Sequence, residues 1–198
     1  MTATAAVSNE ISERLIGARN ERGIPSAIFV DDVVTFVGAD PVEGIIGALQ
    51  QLFSKYKFME TNLTKTKQSL KVKVPDTKKD LAMLEHLISQ RGKDADIETH
   101  FSLADNVFAK ATIDAEVQTV CIWLGANVMV EYSFDEALAL LKNNLHTAEQ
   151  RLEQIESDLG FLRDQIITTE VNMARIFNHD VRRRRQEKQQ QLPPHVKA

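Results

Sequence analysis

Histidine and cysteine are the residue types in this sequence that most readily do chemistry. No metal-ligand spacing connects the five histidines, which are His86, His100, His146, His179 and His195. The single cysteine, Cys121, has no activating partner near it in sequence, which favours a small sheet residue over a nucleophile. The motifs of phosphate-binding loops, serine hydrolases and zinc proteases are missing from the sequence. We therefore expect no enzyme and no metal or cofactor site, and a function that depends on passive binding.

Two basic stretches could bind an acidic partner. Four consecutive arginines occupy positions 182–185, and their simpler interpretation is a frayed helix C-terminus that favours cations; a nuclear-localisation or nucleic-acid patch is the alternative. The lysines of the other stretch fit a solvated helix face better than a site for acidic partners; they are Lys65, Lys67, Lys71, Lys73, Lys78 and Lys79. A basic-zipper DNA-binding protein is excluded by order, because its basic region precedes the zipper. Nucleic acid is not an expected partner.

Composition points to a cytoplasmic chain. The net charge of −4 gives no global case for nucleic acid or membranes, and one cysteine rules out an internal disulfide framework. The first twenty residues contain no apolar run typical of a signal peptide, and no 18-residue apolar span occurs. We expect a cytoplasmic protein, with the nucleus as a second address if the arginine run acts as a signal.

A long second helix is the strongest pattern in the sequence. Apolar residues recur at alternating +3 and +4 steps, which forms one narrow seam along a helix with charged flanks. The seam consists of Leu138, Leu141, Leu145, Ala148, Leu152, Ile155, Leu159, Leu162, Ile166, Thr169, Met173 and Ile176. A helix over 134–181 would be roughly 70 Å long, too long to be covered by the remaining residues as a core. A partner helix is therefore required.

The partner helix is predicted over about 41–90. Asp40 as N-cap, Pro41 at the first helical position and Glu43 in the first turn are typical of a helix start. Its seam consists of Ile45, Leu49, Leu52, Tyr56, Met59, Leu63, Thr66, Leu70, Val74, Thr77, Leu81, Leu84 and Ile88. Pro75 lies inside the pattern and predicts a kink in one continuous helix.

Between the helices the apolar period changes from 3.6 to 2. Residues 97–103 and 107–113 alternate across a turn at Asp105 and Asn106, and residues 117–124 and 128–132 alternate across Gly125, Ala126 and Asn127. Ser133 followed by Glu136 is a capping box that begins the second helix. The sequence therefore predicts an α+β fold, a long antiparallel two-helix coiled coil with two β-hairpins inserted between the helices.

Two short hairpins are marginal as an isolated sheet, so we expect the hairpins to assemble with sheets of other chains into an intersubunit β-barrel. The residues proposed for this assembly share apolar side chains on the second hairpin. They are Val120, Ile122, Leu124, Val128 and Val130.

The chain ends are less informative. Residues 1–24 lack sustained periodicity and are interpreted as disordered or weakly helical. The apolar run at 27–37 is interpreted as a short strand or helix that covers the end of a larger element. The alternative is a peptide that binds a partner, or one that inserts into the chain's own binding site in place of a bound polypeptide. The predicted organisation is a disordered tail at 1–24, a docking segment at 25–40, the first helix at 41–91, the double hairpin at 92–132, the second helix at 133–185 and a disordered tail at 186–198.

The chain resembles the α class of the prefoldin family over roughly residues 24–182. The resemblance is carried by the element order and by residues 55–63 (KYKFMETNL), 120–132 (VCIWLGANVMVEY), 161–165 (FLRDQ) and 174–175. The double hairpin is what separates the α class from the single-hairpin β class. Members often have glycine at the first hairpin turn, where this chain has Ala104, Asp105 and Asn106, which tolerate the same left-handed backbone at some cost.

The resemblance implies an ATP-independent chaperone subunit. It implies a heterohexamer with a second α-class and four β-class subunits, six coiled-coil arms, and capture of unfolded actin and tubulin for delivery to the cytosolic group II chaperonin. A coiled-coil scaffold or tether is the alternative function, and the two-hairpin insert is the feature that a plain tether does not need.

An antiparallel pair brings the start of the first helix to the end of the second. Apolar residues at this free end could extend the intramolecular core or be partly exposed to bind unfolded chains. The candidate client-binding residues are Ile45, Ile46, Leu49, Leu52, Phe53, Val171, Met173, Ile176 and Phe177.

Overall fold

The computed structural model of the chain describes residues 11–191 except residues 39, 92, 94, 95 and 115. The helices are α1 (Val33–Val37), α2 (Val42–Gln90) and α3 (Phe134–Gln191). The strands are β1 (Ile16–Arg19), β2 (Pro25–Ala27), β3 (Ile97–Ala104), β4 (Val107–Ile113), β5 (Thr119–Gly125) and β6 (Val128–Ser133). Residues 11–14 are also helical. The chain forms two compact units, here named the terminal unit (Met1–Thr66 with Ile155–Ala198) and the hairpin unit (Lys67–Gln154).

The terminal unit is built on the predicted seam. Ile45, Leu49 and Tyr56 of α2 are fully buried in one cluster with Leu162 and Ile176 of α3. An ion pair between Glu43 at the start of α2 and Arg184 near the end of α3, 2.5 Å apart, identifies the two segments as antiparallel. Thr169, the polar seam residue, is buried, and its hydroxyl donates a 2.7 Å hydrogen bond to the Gln165 carbonyl. The seam therefore tolerates this polar side chain, because a carbonyl one helical turn earlier accepts its hydrogen bond.

The hairpin unit has its own small core. Leu84, Phe134 and Ala137 are buried, and Val120 and Ile122 of β5 pack against them. Lys78 of α2 forms an ion pair with Glu149 of α3 at 2.8 Å, and Glu85 of α2 forms one with Lys142 of α3 at 3.8 Å. From the first pair to the second, the position moves forward by seven residues in α2 and back by seven in α3. The helices are therefore antiparallel in this unit too.

Both hairpins have the predicted pairing. In the first, Thr99 lies opposite Ala111 and Phe101 opposite Ala109; in the second, Ile122 lies opposite Val130. The described strands form separate two-stranded sheets, so the described part of the chain does not close a barrel. The intersubunit barrel stays a prediction about several chains.

The capping box at the start of α3 is confirmed. The Glu136 carboxylate accepts hydrogen bonds from the Ser133 hydroxyl at 2.7 Å and the Ser133 N–H at 3.1 Å, and these bonds hold the pKa of the Glu136 carboxyl below its ordinary value. The start of α2 differs from the prediction. The Pro41 carbonyl accepts the first helical bonds, while the Asp40 carboxylate accepts a 2.7 Å bond from the Arg14 guanidinium. Asp40 therefore ties α2 to the N-terminal segment, a partner that the local sequence pattern does not reveal.

The left-handed backbone that Ala104, Asp105 and Asn106 could tolerate is not used in the first hairpin turn. Among the described residues other than glycine, positive φ angles occur at Ala126 (49°) and Asn127 (63°), in the turn of the second hairpin. Two consecutive residues with positive φ suit the right-handed twist of a hairpin. Both hairpins have an irregular register just before the turn, between Ser102 and Ala104 in the first and between Trp123 and Gly125 in the second.

The structure also differs at the chain ends. Residues 11–24, expected to be disordered or weakly helical, contain β1, and the side chains of Ile11, Leu15 and Ile24 are buried. Helix α3 continues to Gln191, beyond the predicted boundary at 185. Helix α2 is continuous through Pro75, as predicted. The remainder of both predicted tails, 1–10 and 192–198, lies outside the described residues. The docking segment at 25–40 does cover a larger element, since β2 and α1 contribute Ala27, Val33 and Val37 to the terminal-unit cluster.

Tyr56 links this docking segment to the helix pair. Its side chain is fully buried, and its hydroxyl donates a 2.9 Å hydrogen bond to the Pro25 carbonyl. Tyr56→Phe leaves that carbonyl without this donor, so we expect the free energy of unfolding to fall by about 1–2 kcal/mol in urea denaturation. The half-buried Tyr132→Phe is the matched control, with a change below about 0.5 kcal/mol. Equal effects of the two substitutions would contradict this role of Tyr56.

The raised pKa of the Tyr56 hydroxyl sets an alkaline limit to the stability of the fold. Burial raises the pKa of the Tyr56 hydroxyl from 10.0 to about 12. Because the unfolded chain loses this proton first, the stability from the buried hydroxyl is complete below pH 10 and is lost as the pH rises through about 12. Denaturation midpoints measured across this range should fall more steeply for the native chain than for Tyr56→Phe. Parallel curves for the two chains would refute the assignment.

Candidate functional site

The predicted client-binding residues all lie in the terminal unit, but they differ in exposure. Ile45, Leu49, Leu52 and Ile176 are buried in its core, and the partly buried Ile46, Phe53 and Met173 pack against that core. Val171 and Phe177 remain exposed, at 39% and 58%. Most of the predicted set therefore stabilises the helix pair in this structure, and Val171 and Phe177 are the members that face solvent.

The cover over these residues is the N-terminal segment 11–38, here named the strap. Its side chains Ile11, Leu15, Ile24 and Val37 are buried in the same cluster as Ile45. A covering role was one of the sequence interpretations of residues 27–37, but the contribution of Ile11 and Leu15 was missed. These residues are too few to give a helical period that a sequence window could detect.

A row of polar side chains on α3 holds the strap. Asp158, Gln165 and Asn172 are spaced seven residues apart, which places them on one helix face, and all are buried. Asp158 accepts a 2.5 Å bond from Arg22, and Gln165 Oε1 accepts one of 2.8 Å from the Ala27 N–H. We name Asp158, Gln165 and Asn172 the polar ladder.

Asn172 uses both ends of its amide. Its Oδ1 accepts a 3.0 Å hydrogen bond from the Val30 N–H, and its Nδ2 donates one of 2.7 Å to the Ile28 carbonyl. A buried amide with both groups bonded satisfies two main-chain groups that burial would otherwise leave without partners. Sequence analysis missed the ladder, although the repeat of Asp, Gln and Asn at seven-residue spacing was visible within the seam flanks.

Two arginines contact aromatic residues of the strap, Arg175 from α3 and Arg14 from the strap itself. The Arg175 guanidinium donates to the Asp31 carbonyl at 2.7 Å and lies 4.9 Å from the centre of the Phe29 ring. Arg14 donates to the Phe36 carbonyl at 2.7 Å and lies 4.9 Å from the Phe36 ring centre. Each arginine combines a hydrogen bond with a cation–π contact, so both fix the position of an aromatic residue of the strap.

The short helix α1 closes the strap. Asp32 is its N-cap and accepts hydrogen bonds from the Thr35 hydroxyl, the Thr35 N–H and the Val34 N–H, which hold the pKa of the Asp32 carboxyl below its ordinary value. His179, seven residues after Asn172, has a buried Nδ1 without a hydrogen-bond partner among the described residues. His179 makes a minor electrostatic contribution to lowering the pKa of the Asp32 carboxyl, so it belongs to the surroundings of the strap.

The predicted assembly residues occupy two environments in the hairpin unit. Val120 and Ile122 pack on the helices of their own chain, and Val130 is half-buried. Leu124 and Val128 are exposed.

The opposite face of the second hairpin carries residues that sequence analysis missed. Trp123 and Met129 are paired across the strands, and each is 57% exposed. Alternation along β5 was the available signal, because it places Trp123 on the face away from Ile122. The first hairpin adds further exposed apolar side chains, namely Phe101, Leu103, Val107 and Phe108. An open cavity of about 520 Å³ adjoins both hairpins, with Ile97, Ile113 and Ile122 among its lining residues.

The described part of the chain contains neither a metal-binding cluster nor a helix able to span a membrane. Residues 11–191, with the gaps given above, contain no group of three or more His, Cys, Asp or Glu side chains that could hold a metal ion. None of the described helices is long and apolar enough to cross a membrane. Cys121 is exposed on the Trp123 face of β5.

The basic stretches take part in ion pairs. Arg184 contacts Glu43 and Asp180, at 2.5 and 2.6 Å, and Arg183 contacts Asp180 at 2.8 Å. The hydrogen bond with Glu43 is the main reason why the pKa of Arg184 lies above its ordinary value. These contacts favour a structural role for part of the arginine run.

Comparison with known proteins gives a consistent family. The family model described as prefoldin subunit matches residues 56–179. Prefoldin subunit 3 of Mus musculus is 47% identical over 171 residues, covering 85% of this chain and 87% of the relative, and prefoldin subunit 3 of Homo sapiens is 47% identical, covering 85% and 86%. The cryo-EM structure of filamentous PFD from Methanocaldococcus jannaschii aligns with 57% of this chain and 90% of its own, at 16% identity and a TM-score of 0.45.

The family match and the identities over most of both chains confirm the resemblance drawn from the sequence motifs. This chain belongs to the prefoldin subunit family and is similar to its eukaryotic subunit 3 members.

Proposed function

We propose that this chain is the α-class arm of a heterohexameric, ATP-independent chaperone, which captures unfolded actin and tubulin and passes them to the group II chaperonin in the cytoplasm. The observation that carries the proposal is the exposed apolar surface of two hairpins whose outer edges have no strand partner among the described residues. Family membership supports the chaperone class.

Assembly follows from the hairpins. An isolated two-stranded hairpin is at best marginally stable, and an open strand edge invites pairing with another chain. The Trp123 and Met129 face offers a neighbour a large apolar contact, while the Ile122 face is already used within the chain. Strands from a second α-class and four β-class subunits would cover both the face and the edges, which is the intersubunit barrel expected for the family.

Client capture needs only modest contacts from each arm. Burying about 200 Å² of apolar surface yields about 5 kcal/mol before the cost of association, so a single arm binds weakly. Several arms around one client raise the effective concentration of contacts while each contact still releases separately. Such a grip suits transfer of a client to a chaperonin without nucleotide hydrolysis. Phe177 and Val171 are the candidate members that are exposed for it.

The assembly surface can be tested by substitution on the exposed hairpin face. Trp123→Asp with Met129→Asp should release the chain from the hexamer as a monomer, because two charges would replace the apolar contact. Val72→Asp is the matched control, since Val72 is exposed on α2 outside the hairpins. Native mass spectrometry of the chain co-expressed with its partner subunits gives the readout. A hexamer that retains the doubly substituted chain would disprove this surface, and a complex that never forms with the native chain would favour the tether function.

The exposed terminal residues can be tested separately. Val171→Ser with Phe177→Ser should weaken suppression of unfolded-actin aggregation by roughly threefold at limiting hexamer, because other arms retain their grip. Helicity and hexamer mass should not change, since exposed substitutions typically alter stability by less than about 0.5 kcal/mol. Val72→Ser should leave suppression unchanged. Full suppression by the doubly substituted hexamer would place the client contacts elsewhere.

A further inference from the structure

The middle of the strap, residues 25–31, is hydrogen-bonded to the helix pair through its main chain. Gln165 and Asn172 bond to the main-chain groups of Ala27, Ile28 and Val30. Tyr56 and Arg175 bond to the carbonyls of Pro25 and Asp31 on either side. Residues 25–27 are a strand and residues 28–30 are outside any helix or strand. The polar ladder and its neighbours therefore hold a short stretch of non-helical main chain through donors and acceptors that every polypeptide carries.

The side chains of this stretch contribute unevenly. Val30 is buried, but Ile28 and Phe29 are exposed although the main chain between them is bonded to α3. Main-chain hydrogen bonds do not depend on the identity of these side chains, since every residue except proline offers one N–H and one carbonyl. The hydrogen-bonding groups of this face thus match an extended polypeptide of almost any sequence, and the buried Val30 side chain adds an apolar contact.

We infer that Gln165 and Asn172, flanked by Tyr56 and Arg175, form a binding site for the extended main chain of an unfolded polypeptide, and that the strap occupies this site when no client is bound. The inference rests on the proposed function and deepens it, because it assigns the capture site a main-chain grip beside the exposed Val171 and Phe177. The strap is then a competitor within the same chain, and the apparent affinity for a client falls in proportion to the fraction of chains with the site open.

Opening requires only part of the strap to leave. Leu15 and Val37 are almost fully buried and anchor its two ends, and residues 22–31 lie between these anchors. Local separation of residues 22–31 breaks the pairing of β2 with β1 and exposes Ile24 and Val30. The Arg22 and Asp158 pair, at 2.5 Å, is the charged contact that holds the beginning of this segment. Removing its attraction therefore loosens the segment without altering Gln165 or Asn172.

The test measures binding of a fluorescent peptide to the full-length chain. The peptide has the sequence of residues 24–34 and therefore does not contain Arg22. Arg22→Glu sets two negative charges against each other and should strengthen peptide binding about threefold to tenfold in fluorescence anisotropy, by opening the site. Arg22→Glu with Asp158→Arg restores an opposite pair and should return the affinity to that of the native chain. Adding Asn172→Ala to Arg22→Glu should abolish the gain, because the amide that bonds the peptide is gone.

Hydrogen exchange shows whether the strap has opened. The Ala27 and Val30 amides should exchange faster in Arg22→Glu than in the native chain, while amides of α3 keep their protection. Faster exchange without stronger peptide binding would overturn the inference, and so would a gain in binding that survives Asn172→Ala. Unchanged exchange in Arg22→Glu would overturn it as well, because the ion pair would then not hold the strap.

These outcomes are independent of assembly. A chain that binds the peptide as described but fails to enter a hexamer would contradict the proposed function and leave the binding site standing. A chain that assembles normally and suppresses aggregation, but whose affinity for the peptide does not change with Arg22→Glu or Asn172→Ala, would contradict the binding site alone.

Discussion

Burial of the α2 seam against the α3 seam is the interaction on which the other elements depend. A helix as long as α2 or α3 gains little stability from the intrinsic propensity of its residues compared with the packing of its apolar face. Ile45, Leu49 and Tyr56 are buried in one cluster with Leu162 and Ile176 of α3 and with side chains of the strap. The strap in the terminal unit and the hairpins in the hairpin unit each pack on helices that this seam has already paired.

The two units use their helices for different purposes. In the hairpin unit, Leu84 and Phe134 support one face of the second hairpin, which leaves Trp123 and Met129 on the other face with no cover from the described residues. In the terminal unit, Asp158, Gln165 and Asn172 bind a segment of the same chain. One surface is open to neighbouring subunits, and the other is occupied by a stretch of main chain that resembles what a chaperone must hold.

The long elements could be predicted from sequence because their periods persist over many residues. The α3 seam, the alternation along β5 and β6 and the capping box at Ser133 each gave an independent and consistent signal. The strap could be predicted only in part, because the partners of Gln165 and Asn172 are main-chain atoms, which leave no trace in residue type. Burial of the predicted client residue Ile45 followed from its place in the α2 seam, but the contribution of Ile11 and Leu15 to the same cluster was not predicted.

The central claim is that this chain functions as one subunit of a mixed chaperone assembly, and its composition in the cell tests that claim most directly. Native mass spectrometry of the chain purified with its partners from its own cells measures that composition without any substitution. We expect a hexamer that contains one copy of this chain and five other small coiled-coil subunits. A homodimer, or a chain bound to a single unrelated protein, would contradict it.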